Sequence, residues 1–272
     1  MRVRPEHALA VGLLVCACGA GLLSLRTPPP TDSVIAAYTT SFAARSRGQI
    51  ENALLAARTL DGTVVPPGGE FSFNRCLGPW TADRGYRRAP VSYDGELTLA
   101  TGGGVCQLSS TLYVAALLAG MEVLERNRHF WPVSYALPGL DAAVAYPSID
   151  LRFRNPLPAY VALRARGRRD QLIVELVSTA STGSYAIERE ELSVSPPLTI
   201  VRAEDRLSPG QILRANRGQP GREVAVYRVH HTEGGRTQRT LVSLDAYPTL
   251  NRILKVGPDA PQVPLGLSVS VE

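Results

Sequence analysis

Cys106 closes the run Gly102-Gly103-Gly104-Val105-Cys106 and opens an apolar stretch that ends at Gly120, with leucine and alanine at helical spacing. A thiol in the first turn of a helix meets unpaired backbone amides and the positive end of the helix dipole. Both favour a thiolate, and both stabilise a developing oxyanion. Gly103 and Gly104 leave room for a substrate carbonyl to reach those amides, and the side-chain amide of Gln107 is a further candidate donor to the same oxyanion. This is the layout of acyl transfer through a cysteine. Such a nucleophile needs a base, and the chain has four histidines: His7 in the N-terminal leader, His230 and His231 in a late strand-like run, and His129. His129 is therefore the candidate base. Asp141 follows a Pro138-Gly139 turn, where a hairpin would bring its carboxylate to the imidazole to orient it. Each residue also has a plainer reading. Cys106 would be a small buried residue or half of a disulfide with Cys76, His129 a surface residue beside Phe130 and Trp131, and Asp141 a turn cap.

Other side chains have weaker claims. Arg84 and Arg154 are candidates for holding a peptide carboxylate through a bidentate pair, with an internal ion pair as the alternative. Ser109, Ser110 and Thr111 fall inside the expected helix, where hydroxyls bond back to the preceding turn. Phe71, Phe73 and Tyr86 read as core, and Tyr227 and Tyr247 as cross-strand packing. There is no pair of Cys-x-x-Cys motifs and no histidine-rich cluster, so no metal site is expected, and acyl transfer needs no cofactor.

Positioning these residues requires a folded core, and 272 residues with 44% apolar composition suffice for one medium domain and a smaller one. The net charge of +5 comes from arginines spread along the chain, Lys255 being the only lysine, which argues against a nucleic-acid surface. The densest basic run, Leu163 to Gln171, reads as a solvated hairpin turning at Gly167. At the N-terminus Arg2 and Arg4 precede an apolar stretch from Ala8 to Leu25, the layout of an export signal or a single membrane anchor. Val15-Cys16-Ala17-Cys18 is similar to a lipobox, which makes Cys18 a candidate for lipidation; the alternative is an uncleaved helix. Either way the chain is expected to be exported and membrane-anchored through residues 1–33, with "RTPPPTDS" as an extended tether.

"PPGGEFSFNRCLGPWTADRGYRRAPV", then "GGGVCQLSSTLYVAALLAG", His129, Asp141 and the closing "IDLRFRN" together resemble the VanW domain family. The resemblance begins near Tyr38 and runs to about Val177. It implies a cell-wall role. Some proteins with this domain are L,D-transpeptidases that crosslink peptidoglycan through the domain's cysteine, which makes Cys106 the nucleophile and peptidoglycan stem peptides the substrate. The chain departs from the family's pattern at Val114, Phe130, Leu140 and Ala143. Beyond Ser181, short alternating runs broken by Gly210, Gly218, Gly221, Gly234 or Gly235, and Gly257 resemble the five-glycine domain, which implies binding to glycan strands. The expected architecture is α+β: a VanW-like domain over 34–180 with the cysteine at a loop-to-helix junction, a β-rich module over 185–258, and a tail over 259–272. The rival expectation is a non-catalytic wall-binding or scaffold protein.

Overall fold

The computed structural model describes residues 33–93, 96–180, 183–232 and 234–259. Cys18, the leader and the tail beyond Asp259 lie outside them. The chain first runs through β1 (Ser33–Ser41), α1 (Arg47–Leu60), β2 (Thr63–Val65), β3 (Glu70–Ser72), α2 (Phe73–Leu77), β4 (Arg88–Tyr93) and β5 (Glu96–Thr101). It continues with α3 (Val105–Leu118), β6 (Glu122–Glu125), β7 (Arg152–Arg154), β8 (Val161–Arg168) and β9 (Gln171–Ser178). The C-terminal part holds β10 (Ser184–Ser195), β11 (Thr199–Ala203), β12 (Ile212–Asn216), β13 (Gly221–His231), β14 (Thr237–Tyr247) and β15 (Arg252–Val256). The fold is α+β with a β-rich C-terminal region.

The principal sheet has the order β1-β9-β8-β2, antiparallel throughout, and α1 and α3 pack against it. A smaller sheet, β3-β7-β6, closes one end, and the β4–β5 hairpin feeds directly into the glycine loop. In the C-terminal part β10-β13-β14 form one antiparallel sheet. β11-β15-β12 form another, in which β11 runs parallel to β15.

Helix α3 is the centre of the molecule. Every side chain in it except Cys106 and Leu118 is buried, and a helix that is apolar on all sides belongs inside a fold. It lies against β1, β9, α1 and β10. Leu108, Leu112, Tyr113 and Leu117 have at most 1% of their surface exposed, each removing about 1.5–3 kcal/mol of apolar surface from water. The hydroxyls of Ser109, Ser110 and Thr111 bond back to Cys106 O, Cys106 O and Gln107 O, as their helical positions dictate. Helix α1 starts at a capping box: the Gln49 amide donates to Ser46 Oγ at 3.3 Å and the Ser46 amide to Gln49 Oε1 at 2.9 Å.

The basic hairpin differs in detail from its sequence expectation. Gly167 lies within β8, and the chain reverses at Arg169-Asp170, where Arg169 adopts φ 54°. Pairing of Arg168 with Gln171 sets the turn, so the register of the sheet overrides the glycine signal. Among the described residues no helix is long and apolar enough to cross a membrane.

Candidate active site

The thiol is presented by the junction between the glycine loop and α3. Gly104 is the N-cap residue at φ 109°, a conformation closed to side-chain-bearing residues, and a Cβ there would stand 2.3 Å from Gln49 O. Gly103 is equally tight, its absent Cβ falling 2.6 Å from Ala89 O. Asn52 clamps the loop from α1: its Nδ2 donates to Gly103 O and Arg87 O, both at 2.9 Å, and its Oδ1 accepts from Arg87 N–H at 2.8 Å. The glycines therefore admit the chain's own backbone, which corrects the expectation that they make room for a substrate. What they produce is an α3 whose first turn is fixed against the start of α1, with Cys106 half-buried in it. The Val105 amide closes on Gly102 O at 3.1 Å and the Gln107 amide on Gly104 O at 3.1 Å. No such partner is recorded for the Cys106 amide among the described residues, as expected of a first-turn donor.

His129 comes from the long segment between β6 and β7. An antiparallel bridge between Asn127 and Ala143 closes this segment into a loop, and the turn at Gly139 returns Asp141 beneath the imidazole. His129 Nδ1 lies 2.6 Å from Asp141 Oδ2, and the His129 backbone amide donates to the same oxygen at 2.7 Å. This fixes Nδ1 as the protonated nitrogen and turns Nε2 outward. Tyr135 Oη lies 3.4 Å from Nε2, with the two rings edge to face. The loop is stitched to α3 by Ser109 Oγ, which donates to Ala142 O at 2.7 Å, and by the Ala142 amide, which donates to Ser110 Oγ at 2.9 Å.

Cys106 is a free thiol in the structure, so the disulfide with Cys76 is not formed; the Cys76 sulfur sits 3.5 Å from Thr63 Oγ1. The Cys106 thiol donates to Val144 O at 3.4 Å and has the His129 imidazole as a neighbour that acts on its proton. Burial alone would raise its pKa. The His129 hydrogen bond and charge, with the charge of Arg45, outweigh that and hold it below the ordinary thiol value. Burial likewise opposes charge on His129, but the hydrogen bonds with Asp141 and Cys106 push its pKa up to about 9. Asp141, which burial would raise, is held below the usual carboxylate range by His129 and Arg126. These shifts run toward a thiolate–imidazolium pair over a buried carboxylate.

The C-terminal sheet reaches this carboxylate, which the sequence did not indicate. Tyr247 Oη donates to Asp141 Oδ1 and accepts from the Gly139 amide at 2.7 Å. Arg126 donates to Asp141 O at 2.7 Å and to Asp141 Oδ1 at 3.2 Å, and it also pairs with Asp245 Oδ1 at 2.5 Å. Gly139 is needed for this approach, since a Cβ there would meet Val226 Cγ2 at 2.5 Å. Two clefts of about 400 and 370 Å³ lie beside the C-terminal sheet, one lined by Arg126 and Asp245, the other by Phe130 and Tyr247; Cys106 lines neither. Among the described residues no group of three or more His, Cys, Asp and Glu converges as a metal site would require.

Residues 48–177 match the family model described as VanW like protein. This part of the chain is a VanW-like domain. Over 142 residues it is 37% identical to the uncharacterized protein YoaR of Bacillus subtilis (strain 168), covering 52% of this chain and 47% of that one. Over 112 residues it is 34% identical to the Vancomycin B-type resistance protein VanW of Enterococcus faecalis (strain ATCC 700802 / V583), covering 39% of this chain and 41% of that one. The match thus spans less than half the length of either relative. Among solved structures, a G5 domain of IgA1 protease matches 27% of this chain and 86% of its own, with 20% identity and a TM-score of 0.21. HP0197-G5 matches 28% of this chain and 100% of its own, with 22% identity and a TM-score of 0.16.

Within the VanW-like domain the structure brings Cys106, His129 and Asp141 together. Three other candidates do not join them. Gln107 is buried, and its Nε2 donates to Thr40 Oγ1 at 3.1 Å and Ser41 O at 2.9 Å, tying α3 to the end of β1 instead of facing an oxyanion. Arg84 donates to Leu77 O at 3.0 Å and Pro79 O at 2.9 Å, holding the turn after α2. Arg154 pairs with Glu70 at 2.9 Å and Glu122 at 3.1 Å across the β3-β7-β6 sheet, the internal use weighed from the sequence. Arg45, Tyr135, Arg126 and Tyr247 belong to the site and escaped the sequence reading, because tertiary folding alone brings them there.

Proposed function

We propose that this protein is an exported, membrane-tethered cell-wall enzyme that transfers peptidoglycan stem-peptide acyl groups through Cys106. The observation that supports this most is the convergence of a free, half-buried thiol with a His129–Asp141 pair at the start of a buried helix. The name of the enterococcal relative, a vancomycin B-type resistance protein, supports an envelope setting. The export layout of the leader and the five-glycine pattern after Ser181 support tethering at one end and attachment to glycan strands at the other.

In this reading the Cys106 thiolate attacks the carbonyl carbon of a stem-peptide bond, forming the S–C bond and a tetrahedral oxyanion. The first-turn amide of α3 and the helix dipole hold that oxyanion. His129 Nε2 gives its proton to the leaving amine as the C–N bond breaks, which leaves a thioester on Cys106 and a neutral imidazole. An acceptor amine then attacks the thioester, its proton passing to His129, and the C–S bond breaks to regenerate the thiolate–imidazolium pair. Water as acceptor would give a peptidase by the same steps. Incubation of the protein with muropeptides, followed by mass spectrometry of the products, tests the reading. Wild type is expected to form crosslinked or shortened muropeptides and Cys106→Ala none; equal products from both would rule out catalysis through Cys106, and none from either would favour the non-catalytic wall-binding alternative.

A further inference from the structure

Among the described residues Arg45 is a cation without a carboxylate partner. It ends the short turn that leaves β1, where its amide closes on Phe42 O at 3.0 Å. The turn is held on one side by Gln107, whose side chain grips Ser41 O and Thr40 Oγ1. On the other side Ala44 adopts φ 59°, a left-handed conformation that strains a residue with a side chain. The guanidinium lies over the face of Tyr135, 4.9 Å from its centroid, and the hydroxyl of that ring touches His129 Nε2. The Nε atom of Arg45 is buried and makes no hydrogen bond. Among the described residues no carboxylate pairs with the side chain; the groups whose charge it feels are Tyr135 and Cys106, while burial lowers its pKa. A partly buried guanidinium with an unmet Nε and no carboxylate beside it is costly unless something supplies it with an anion.

We propose that Arg45 is the anion subsite of this active site and binds a peptide carboxylate placed one residue beyond the carbonyl that Cys106 attacks. The proposal rests on the acyl-transfer reading and adds its specificity: the preferred donor ends in a free carboxylate on its leaving residue. Adjacent Cα atoms stand about 3.8 Å apart, so a terminal carboxylate lies close to the preceding carbonyl and within the neighbourhood that Arg45 and Cys106 share. A guanidinium suits the task because its fork grips both carboxylate oxygens, and its stacking on Tyr135 fixes the plane of that fork.

Alkylation of Cys106 in the full chain by iodoacetate and by iodoacetamide tests the proposal. The two reagents share a reactive carbon and a leaving iodide, and differ in carrying a carboxylate or a neutral amide. Rates are followed on the Cys106 peptide by mass spectrometry at pH 6–7, with a free thiol peptide as reference. The iodoacetate-to-iodoacetamide rate ratio of wild type is expected to exceed that of the free peptide and to fall roughly tenfold in Arg45→Gln, with partial recovery in Arg45→Lys. Iodoacetamide alone reports the thiolate and the integrity of the fold. Rapid iodoacetamide reaction with the same ratio in wild type and Arg45→Gln would overturn the anion subsite while leaving the nucleophile intact. Slow iodoacetamide reaction of wild type would overturn the acyl-transfer reading and the subsite with it.

Discussion

At Cys106 the decisive quantity is the sum of opposing effects on one proton. Burial favours the neutral thiol, whereas the hydrogen bond and charge of His129 and the charge of Arg45 favour the thiolate, and the latter win. Alkylation of Cys106 should therefore persist well below pH 8.5, the midpoint of an ordinary thiol, when rate is plotted against pH. His129 sets the other limb. With its pKa pushed up to about 9, it keeps the proton needed by a leaving amine until that pH, so a bell-shaped activity profile is expected to fall on its alkaline side near 9. The same shift contributes stability that is fully present below about pH 6.5, where the unfolded histidine is also protonated, and is lost as pH rises through about 9. Replacing Asp141 by Asn should cost roughly 10³–10⁴-fold in turnover, because the imidazolium loses its counter-charge and its fixed tautomer. Muropeptide turnover of Asp141→Asn measures this, and a loss under tenfold would remove Asp141 from the mechanism. The triad was legible because its residue types are scarce and their order suggestive. Arg45 and Tyr135 were not, since nothing local marks an arginine whose partner stands on another loop.

Among the elements, the loop entering α3 and the start of α1 act together. Asn52 grips Gly103 O, Gln49 O fills the space beside Gly104, and the Gln49 side chain donates to Pro90 O at 2.8 Å. Gly104→Ala should destabilise the fold by about 2–4 kcal/mol, combining a left-handed backbone with a blocked Cβ, as a denaturant midpoint would register. Asn52→Ala should cost about 2 kcal/mol by leaving buried carbonyls of the loop unmet. A wild-type midpoint in either variant would mean that the loop is not held as described. Helix α3 and its end before Gly120 could be read from apolar spacing alone, because a buried helix shows its pattern locally. The role of Gln107 could not: its place one residue after the thiol suggested an oxyanion donor, but in a helix enclosed on nearly every side that position turns towards β1.

On the scale of the whole molecule, the C-terminal sheet is part of the environment of Asp141 and, through it, of His129. Tyr247 at the end of β14 and the Arg126–Asp245 pair hold the oxygen of Asp141 that His129 does not use. Tyr247→Phe would leave Arg126 as the remaining donor to that oxygen and the buried Gly139 amide without its acceptor, at a cost of about 1–3 kcal/mol in denaturant unfolding. It should also move the pH midpoint of Cys106 alkylation upward, because a carboxylate free to turn holds the imidazolium less firmly; an unchanged midpoint would mean that the brace is only structural. Alternating polar and apolar runs foretold the β-rich character of residues beyond Ser181, but no periodicity foretells which face meets the loop before β7. The account's central claim is a covalent intermediate on one sulfur, and intact-mass spectrometry of the protein mixed with stem tetrapeptides tests it most directly. The account predicts a mass increase equal to the acyl portion, located at Cys106, labile to hydroxylamine and absent from Cys106→Ala. No adduct on wild type during active turnover, or an adduct that survives the loss of Cys106, would contradict it.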